Sequence, residues 1–156
     1  MDLERLTQQV DKFVKQEDTY SCGVAAVATV ARLLGRDDLT YAACRTALNP
    51  QPKTGTEQED ILAFARREFG DAFVSGGADT YHKGLAIASI THFETRPEGS
   101  GHYWVILGQD DEDEVYYYCP WLDEVKSIHR RDIVWKNSDG EYVNWSVNFD
   151  AGKVKG

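Results

Sequence analysis

The chain has 156 residues and a net charge of −9, from 17 Lys and Arg against 26 Asp and Glu. That length suffices for one domain with a buried core, and the whole chain, 1–156, reads as a single domain. The acidic balance argues against nucleic acid, since no basic stripe is present to meet phosphates, and against an anionic membrane surface. The three cysteines are widely spaced and contain no CxxC, which argues against a disulfide scaffold or a zinc ribbon and points to a reducing, cytoplasmic setting. The longest apolar run is too short for a membrane segment, and no secretory signal precedes Cys22.

In chain order, Leu3, Leu6, Val10 and Phe13 recur at spacings of three and four, which predicts a short amphipathic helix or an N-terminal arm over residues 1–15. The stretch Gln16 to Gly35, QEDTYSCGVAAVATVARLLG, organises the rest. Gly23 to Leu34 is apolar on nearly every face, broken only by Thr29 and Arg32, and Gly35 follows as a C-terminal stop. That pattern predicts a buried central helix with Cys22 at its N-terminus. There the helix dipole and the unpaired backbone N–H groups favour an anion and push a thiol toward thiolate, the nucleophilic form. Leu39 to Leu48 predicts a second helix with Thr40 as N-cap and Cys44 in the core. Asn49 to Gly55 reads as a loop. Thr56-Glu57-Gln58-Glu59 reads as a capping box opening a third helix, with Ile61, Leu62, Ala65 and Phe69 as its stripe and Gly70 as its end.

The second half changes character. Ala72 to Ser75 predicts a short strand broken by Gly76-Gly77, and Leu85 to Phe93 predicts another. Arg96 to Gly101 reads as a turn-rich loop. His102 to Gly108 and Val115 to Cys119 are aromatic and β-branched strands joined by an acidic hairpin tip, Lys126 to Lys136 is ambiguous, and Glu141 to Phe149 is a final strand. Helices followed by strands give an α+β class, a helical half packed on an antiparallel sheet. A turn symmetric about residues 110 and 111 pairs Ile106 with Val115, Trp104 with Tyr117 and His102 with Cys119, all on one face. His102 then opens a strand with residue 119 as its neighbour, as the base of a nucleophile–base pair does. His92 reads as a core or edge residue, and His82 and His129 lack partners at metal spacing, so neither metal nor cofactor is expected.

Gln16, six residues before Cys22-Gly23, and the Ala-rich run after it resemble the papain-like cysteine peptidases. They resemble more closely the bacteriocin-processing peptidases that remove double-glycine leaders. Gly55-Thr56, the strand Ile87 to Phe93 and His102-Tyr103 are similar to that family in order and spacing, over about residues 12–136. The resemblance implies a papain-like fold, Cys22 as nucleophile, His102 as general base and acid, and Gln16 as an oxyanion donor beside the Cys22 N–H. Each such donor is typically worth about 3 kcal/mol. It also implies a peptide or protein substrate cut after small residues such as Gly-Gly, with Tyr20, Gly101 and Trp121 beside it. The chain ends where an exporter's membrane helices would begin, so a free-standing domain, or one excised from a longer protein, is expected. The chain departs from the family where Asp precedes Pro: here Cys119 precedes Pro120. A thiol is a weak acceptor. Three outcomes follow: Cys119 orients His102 weakly, Asp123 replaces the carboxylate, or the site is an impaired peptide-binding module. Acyl transfer, as in transglutaminase-like relatives, is the further alternative to hydrolysis.

Overall fold

The computed structural model describes residues 2–91, 101–135 and 144–156. Among the described residues four α-helices precede a six-stranded antiparallel sheet, so the α+β class expected from the sequence is observed. Asp2 caps a five-residue helix, α1 (Leu3–Thr7), and a 3₁₀ turn follows at Val10–Lys12. The expected stripe holds only in part: Leu6 is buried, whereas Val10 is 66% exposed. The helix ends too early to carry Val10 onto the face of Leu6.

Helix α2 (Cys22–Leu33) is the predicted central helix, buried at every residue except Arg32. Its two polar interior residues anchor the arm that precedes it. Thr29 Oγ1 accepts from the Val14 N–H at 2.9 Å, and Arg32 donates to the Asp11 carbonyl at 2.8 Å. Gly35, at φ +76°, closes α2 with a Schellman motif: Arg36 N–H bonds the Ala31 carbonyl and Gly35 N–H the Arg32 carbonyl. In α3 (Tyr41–Leu48), Thr40 caps through Ala43 N–H as expected. In α4 (Gln58–Glu68), Ile61, Leu62, Ala65 and Phe69 are buried as predicted. The capping box does not form. Glu57 is the N-cap and makes no side-chain cap bond, while Thr56 turns inward and its Oγ1 is buried without a partner. The reason is packing: Thr56 lies against Gly23 at the start of α2.

The strands are β1 (Phe73–Ala78), β2 (Leu85–Thr91), β3 (Gly101–Gln109), β4 (Glu114–Cys119), β5 (Glu124–His129) and β6 (Trp145–Phe149), in sheet order β1-β6-β2-β3-β4-β5. Strand β1 runs through Gly76-Gly77, contrary to expectation. A Cβ at Gly76 would collide with Leu62 of α4, so the glycine lets the helix lie on the strand instead of breaking it. The ambiguous stretch after Lys126 belongs partly to β5. His92, expected in the core or at a sheet edge, residues 96–100 of the expected loop and residues 141–143 at the start of the expected final strand lie outside the described residues.

The sheet has two covered faces. Leu85, Ile87, Tyr103, Val105, Leu107, Tyr118 and Phe149 pack with α2 and α4. On the other face Ala86, Ala88, Ile90, Trp104, Ile106, Tyr117 and Cys119 form a second cluster with Tyr81 and Ile133. No helix among the described residues is long and apolar enough to cross a membrane.

Candidate active site

Cys22 is the first residue of α2 and is 5% exposed. Ser21 occupies the N-cap but makes no side-chain cap bond, because its hydroxyl is turned back onto the Asp18 carbonyl at 3.5 Å. The Ser21 side chain thus does not cap this twelve-residue helix, whose dipole favours negative charge at the Cys22 position. Gly23 makes the close approach of Thr56 possible. A Cβ there would lie 2.9 Å from Thr56 Cβ and 3.2 Å from Ile61 Cδ1. Gly23→Ala is therefore expected to destabilise the fold by about 1–3 kcal/mol through overpacking, read from the midpoint of urea denaturation.

The hairpin that carries His102 differs from the expected register. The pairs are Val105 with Tyr118 and Ile106 with Tyr117, two residues away from the symmetric-turn expectation, with a bulge before Gly108. The cause is the tip. Asp110 Oδ1 accepts from the N–H groups of Glu112 and Glu114 at 2.9 and 3.0 Å, and Asp113 takes the left-handed conformation at φ 63°. This is a three-residue loop of the bulged kind, not a two-residue turn. A shift of two keeps every side chain on its face. His102 therefore still meets Cys119, as a diagonal neighbour: Nε2 lies 3.6 Å from the Cys119 sulfur. His102 is 2% exposed and Cys119 fully buried. The same diagonal relation stacks Trp104 on Tyr117 at 3.7 Å between ring centroids.

Alternation sends the neighbour of His102 the other way. Tyr103 faces the helices and donates its hydroxyl to the Thr56 carbonyl at 2.7 Å. Burial pushes the Tyr103 hydroxyl well above its usual pKa, and the negative charges of Cys22, Glu57 and Asp60 act in the same direction. Cys22 is thus within electrostatic reach of Tyr103, on the helix side of β3, whereas the His102 ring shares the face of Trp104 and Ile106.

Gln16 is 5% exposed and its backbone N–H bonds the Pro120 carbonyl at 3.1 Å, beside Cys119. Its side-chain Nε2 donates to the Asp18 carbonyl at 2.6 Å, which uses one of two amide hydrogens, and its Oε1 is buried without a partner. Asp123, the alternative acid, is turned to the helix side of β4, where Oδ1 accepts from the Tyr118 hydroxyl at 2.7 Å. It therefore does not substitute for residue 119. Of the expected substrate contacts, Gly101 begins β3 opposite Thr91, and Trp121 is 36% exposed just past Pro120. Tyr20 is half-buried beneath the Arg45 guanidinium. Cys44 is fully buried, and burial together with the Asp38 and Glu68 charges pushes its thiol up to about 11, as befits an inert core residue.

No family model matches the chain. No curated protein matches it either. Among the described residues no three His, Cys, Asp or Glu side chains group closely enough to hold a metal ion. The chemistry available is that of a thiol at a helix N-terminus, an imidazole and a side-chain amide. Read from the sequence, Thr56 and Tyr103 had no role at the site, and Asp18 and Arg45 were not singled out. The only local signal was Asp18-x-Tyr20, an Asx-turn spacing in which Asp18 Oδ1 accepts from Tyr20 N–H at 3.2 Å.

Proposed function

We propose that the chain is a cytoplasmic, thiol-dependent peptidase of papain-like fold that cleaves after small residues, in the manner of double-glycine leader peptidases. The observation that carries this reading is the imidazole–thiol contact at 3.6 Å between His102 and Cys119, because it gives the histidine a buried orienting partner at the position where such peptidases keep an acid. The start of α2 at Cys22, which the Ser21 side chain does not cap, and the Gln16–Pro120 bond support it further.

In the proposed reaction the Cys22 thiolate adds to the scissile carbonyl carbon, and the carbonyl electron pair moves to oxygen. The N–H groups of the α2 start and the second Gln16 amide hydrogen meet that oxyanion. Collapse expels the amine, which takes a proton from His102. His102 then accepts a proton from the water that adds to the thioester carbonyl. Collapse breaks the C–S bond, releasing the carboxylic acid and restoring the Cys22 thiolate beside a protonated His102. Nε2 lies against Cys119, so Nδ1 is the ring atom that serves Cys22.

A non-catalytic peptide-binding module is the second reading, favoured by the thiol at residue 119 and by the face of β3 that His102 occupies. A peptide library incubated with the wild type and with Cys22→Ala, read by mass spectrometry, separates the two. New termini after small residues, made only by the wild type, are expected. Peptide capture by both proteins without cleavage overturns the peptidase reading. Hydroxamates formed on adding hydroxylamine would report acyl transfer through the same thioester.

A further inference from the structure

One guanidinium holds two residues between Gln16 and Cys22, Asp18 and Tyr20. Arg45, on α3, donates from Nη2 to Asp18 Oδ2 at 2.8 Å and to the Tyr20 hydroxyl at 3.2 Å, and its charge lies 5.4 Å from the centre of the Tyr20 ring. Nη1 reaches the Tyr41 hydroxyl at 3.4 Å, and that hydroxyl accepts from the Glu17 N–H at 3.3 Å. Asp18 is the hub of the segment. Its carbonyl holds the Gln16 amide at 2.6 Å, its N–H bonds Ser21 Oγ at 3.4 Å, and its carboxylate holds both Arg45 and the Tyr20 N–H. Residues 13–21 contain no helix or strand, and beyond the Val14 N–H on Thr29 and the Gln16 N–H on the Pro120 carbonyl, the path from Gln16 to Cys22 is held by side chains. The side chains of α3 hold the stretch between those anchors and Cys22, and Ser21 is drawn away from capping α2 by the same hub.

We propose that Arg45 is a positioning residue: through Asp18 it sets the Gln16 amide relative to the start of α2, where the oxyanion of the proposed reaction forms. The assignment rests on the peptidase reading. It is chemically coherent because an oxyanion donor acts only when preorganised, and a displacement of about 1 Å can cost about a hundredfold in rate. Arg is suited to the task, since its planar fork serves the carboxylate and the phenol together, which a lysine ammonium on a flexible stem does not. The carboxylate is kept ionised for that purpose. Burial pushes the Asp18 carboxyl up, but hydrogen bonds from Ser21, Arg45 and Tyr20 outweigh it and hold it below the usual value. The clasp is therefore fully formed at neutral pH and opens only as pH falls through that lowered value.

The test compares the wild type with Arg45→Ala, Arg45→Lys and Asp18→Asn in turnover of the cleaved library peptide and in alkylation of Cys22 by iodoacetamide. Alkylation needs an ionised thiol but no oxyanion donor, so it separates positioning from collapse of the helix start. Arg45→Ala is expected to lower kcat about 10- to 100-fold with KM within about threefold, and alkylation within about twofold, of the wild type. Arg45→Lys is expected to recover only part of kcat, and Asp18→Asn to match Arg45→Ala. Unchanged kcat in Arg45→Ala, with an active wild type, overturns the assignment and leaves the peptidase reading standing. A parallel fall in kcat and alkylation overturns it too, because the role is then structural. A wild type without Cys22-dependent turnover overturns both.

Discussion

His102→Ala is expected to lower Cys22-dependent turnover about 1,000-fold or more and to slow iodoacetamide labelling of Cys22 near neutral pH. Two losses combine. Without an imidazolium partner, a cysteine of ordinary pKa near 8.5 is only a few per cent ionised at pH 7. The leaving amine also loses its acid, a contribution of about 100- to 10,000-fold. Because His102 is 2% exposed and packs on Cys119, the alanine variant also opens a cavity. His102→Gln keeps most of the volume and serves as the second variant, with the same kinetic loss expected. Cys44 provides the internal standard: its thiol, pushed up to about 11, should label slowly in every variant. The experiment is demanding because the strand directs Tyr103 to the helix side and His102 to the other. Labelling of Cys22 that is indifferent to His102 would mean that the ring serves Cys119 alone, and the peptide-binding reading would replace the peptidase.

Cys119→Asp is expected to raise turnover about tenfold while cooperative unfolding is retained. A carboxyl oxygen extends one bond beyond the position of the sulfur, which closes the 3.6 Å separation from Nε2 to hydrogen-bond length. A carboxylate then holds the ring in one tautomer and stabilises the imidazolium, as a thiol does weakly; the Asp of a serine-protease triad is worth about 10,000-fold in kcat. Burial of the new charge opposes the gain, since the position is fully buried. The imidazolium opposite offsets that cost only if it forms, so the variant reports on the protonation state of His102. Cys119→Ser, which changes size little and adds no charge, is expected to stay near wild-type turnover. A large loss in Cys119→Asp with folding intact would assign residue 119 a specific role of its own as a thiol.

The parts of the fold that could be read from the sequence are those where one local pattern and one tertiary demand agree. The all-round apolar run became α2, Thr40 became a cap, and Gly35 and Gly70 marked helix ends, because each is governed by neighbours within four residues. The errors fall where a distant contact decides. Thr56 has the spacing of a capping residue, yet the approach of Gly23 from α2 claims its side chain. Gly76-Gly77 has the composition of a breaker, yet Leu62 of α4 makes glycine the residue that fits. The hairpin register was missed because the Asp110 carboxylate lengthens the turn, but the pairing of His102 with Cys119 survived since a slip of two preserves the face. The Asp18–Arg45 clasp joins segments 27 residues apart, and no local periodicity announces such a bond.

Strand β6 lies between β1 and β2, which have no direct pairing with each other in the sheet order. The two earlier strands, starting at Phe73 and Leu85, emerge from the ribosome well before the strand that joins them, which starts at Trp145. Until it is synthesised, β1 has no ladder and one edge of β2 stays open, so the sheet is completed only once β6 has emerged. Contacts of such long sequence separation slow folding and expose strand edges in the interval. The nascent chain is therefore more vulnerable to misassociation than the finished sheet.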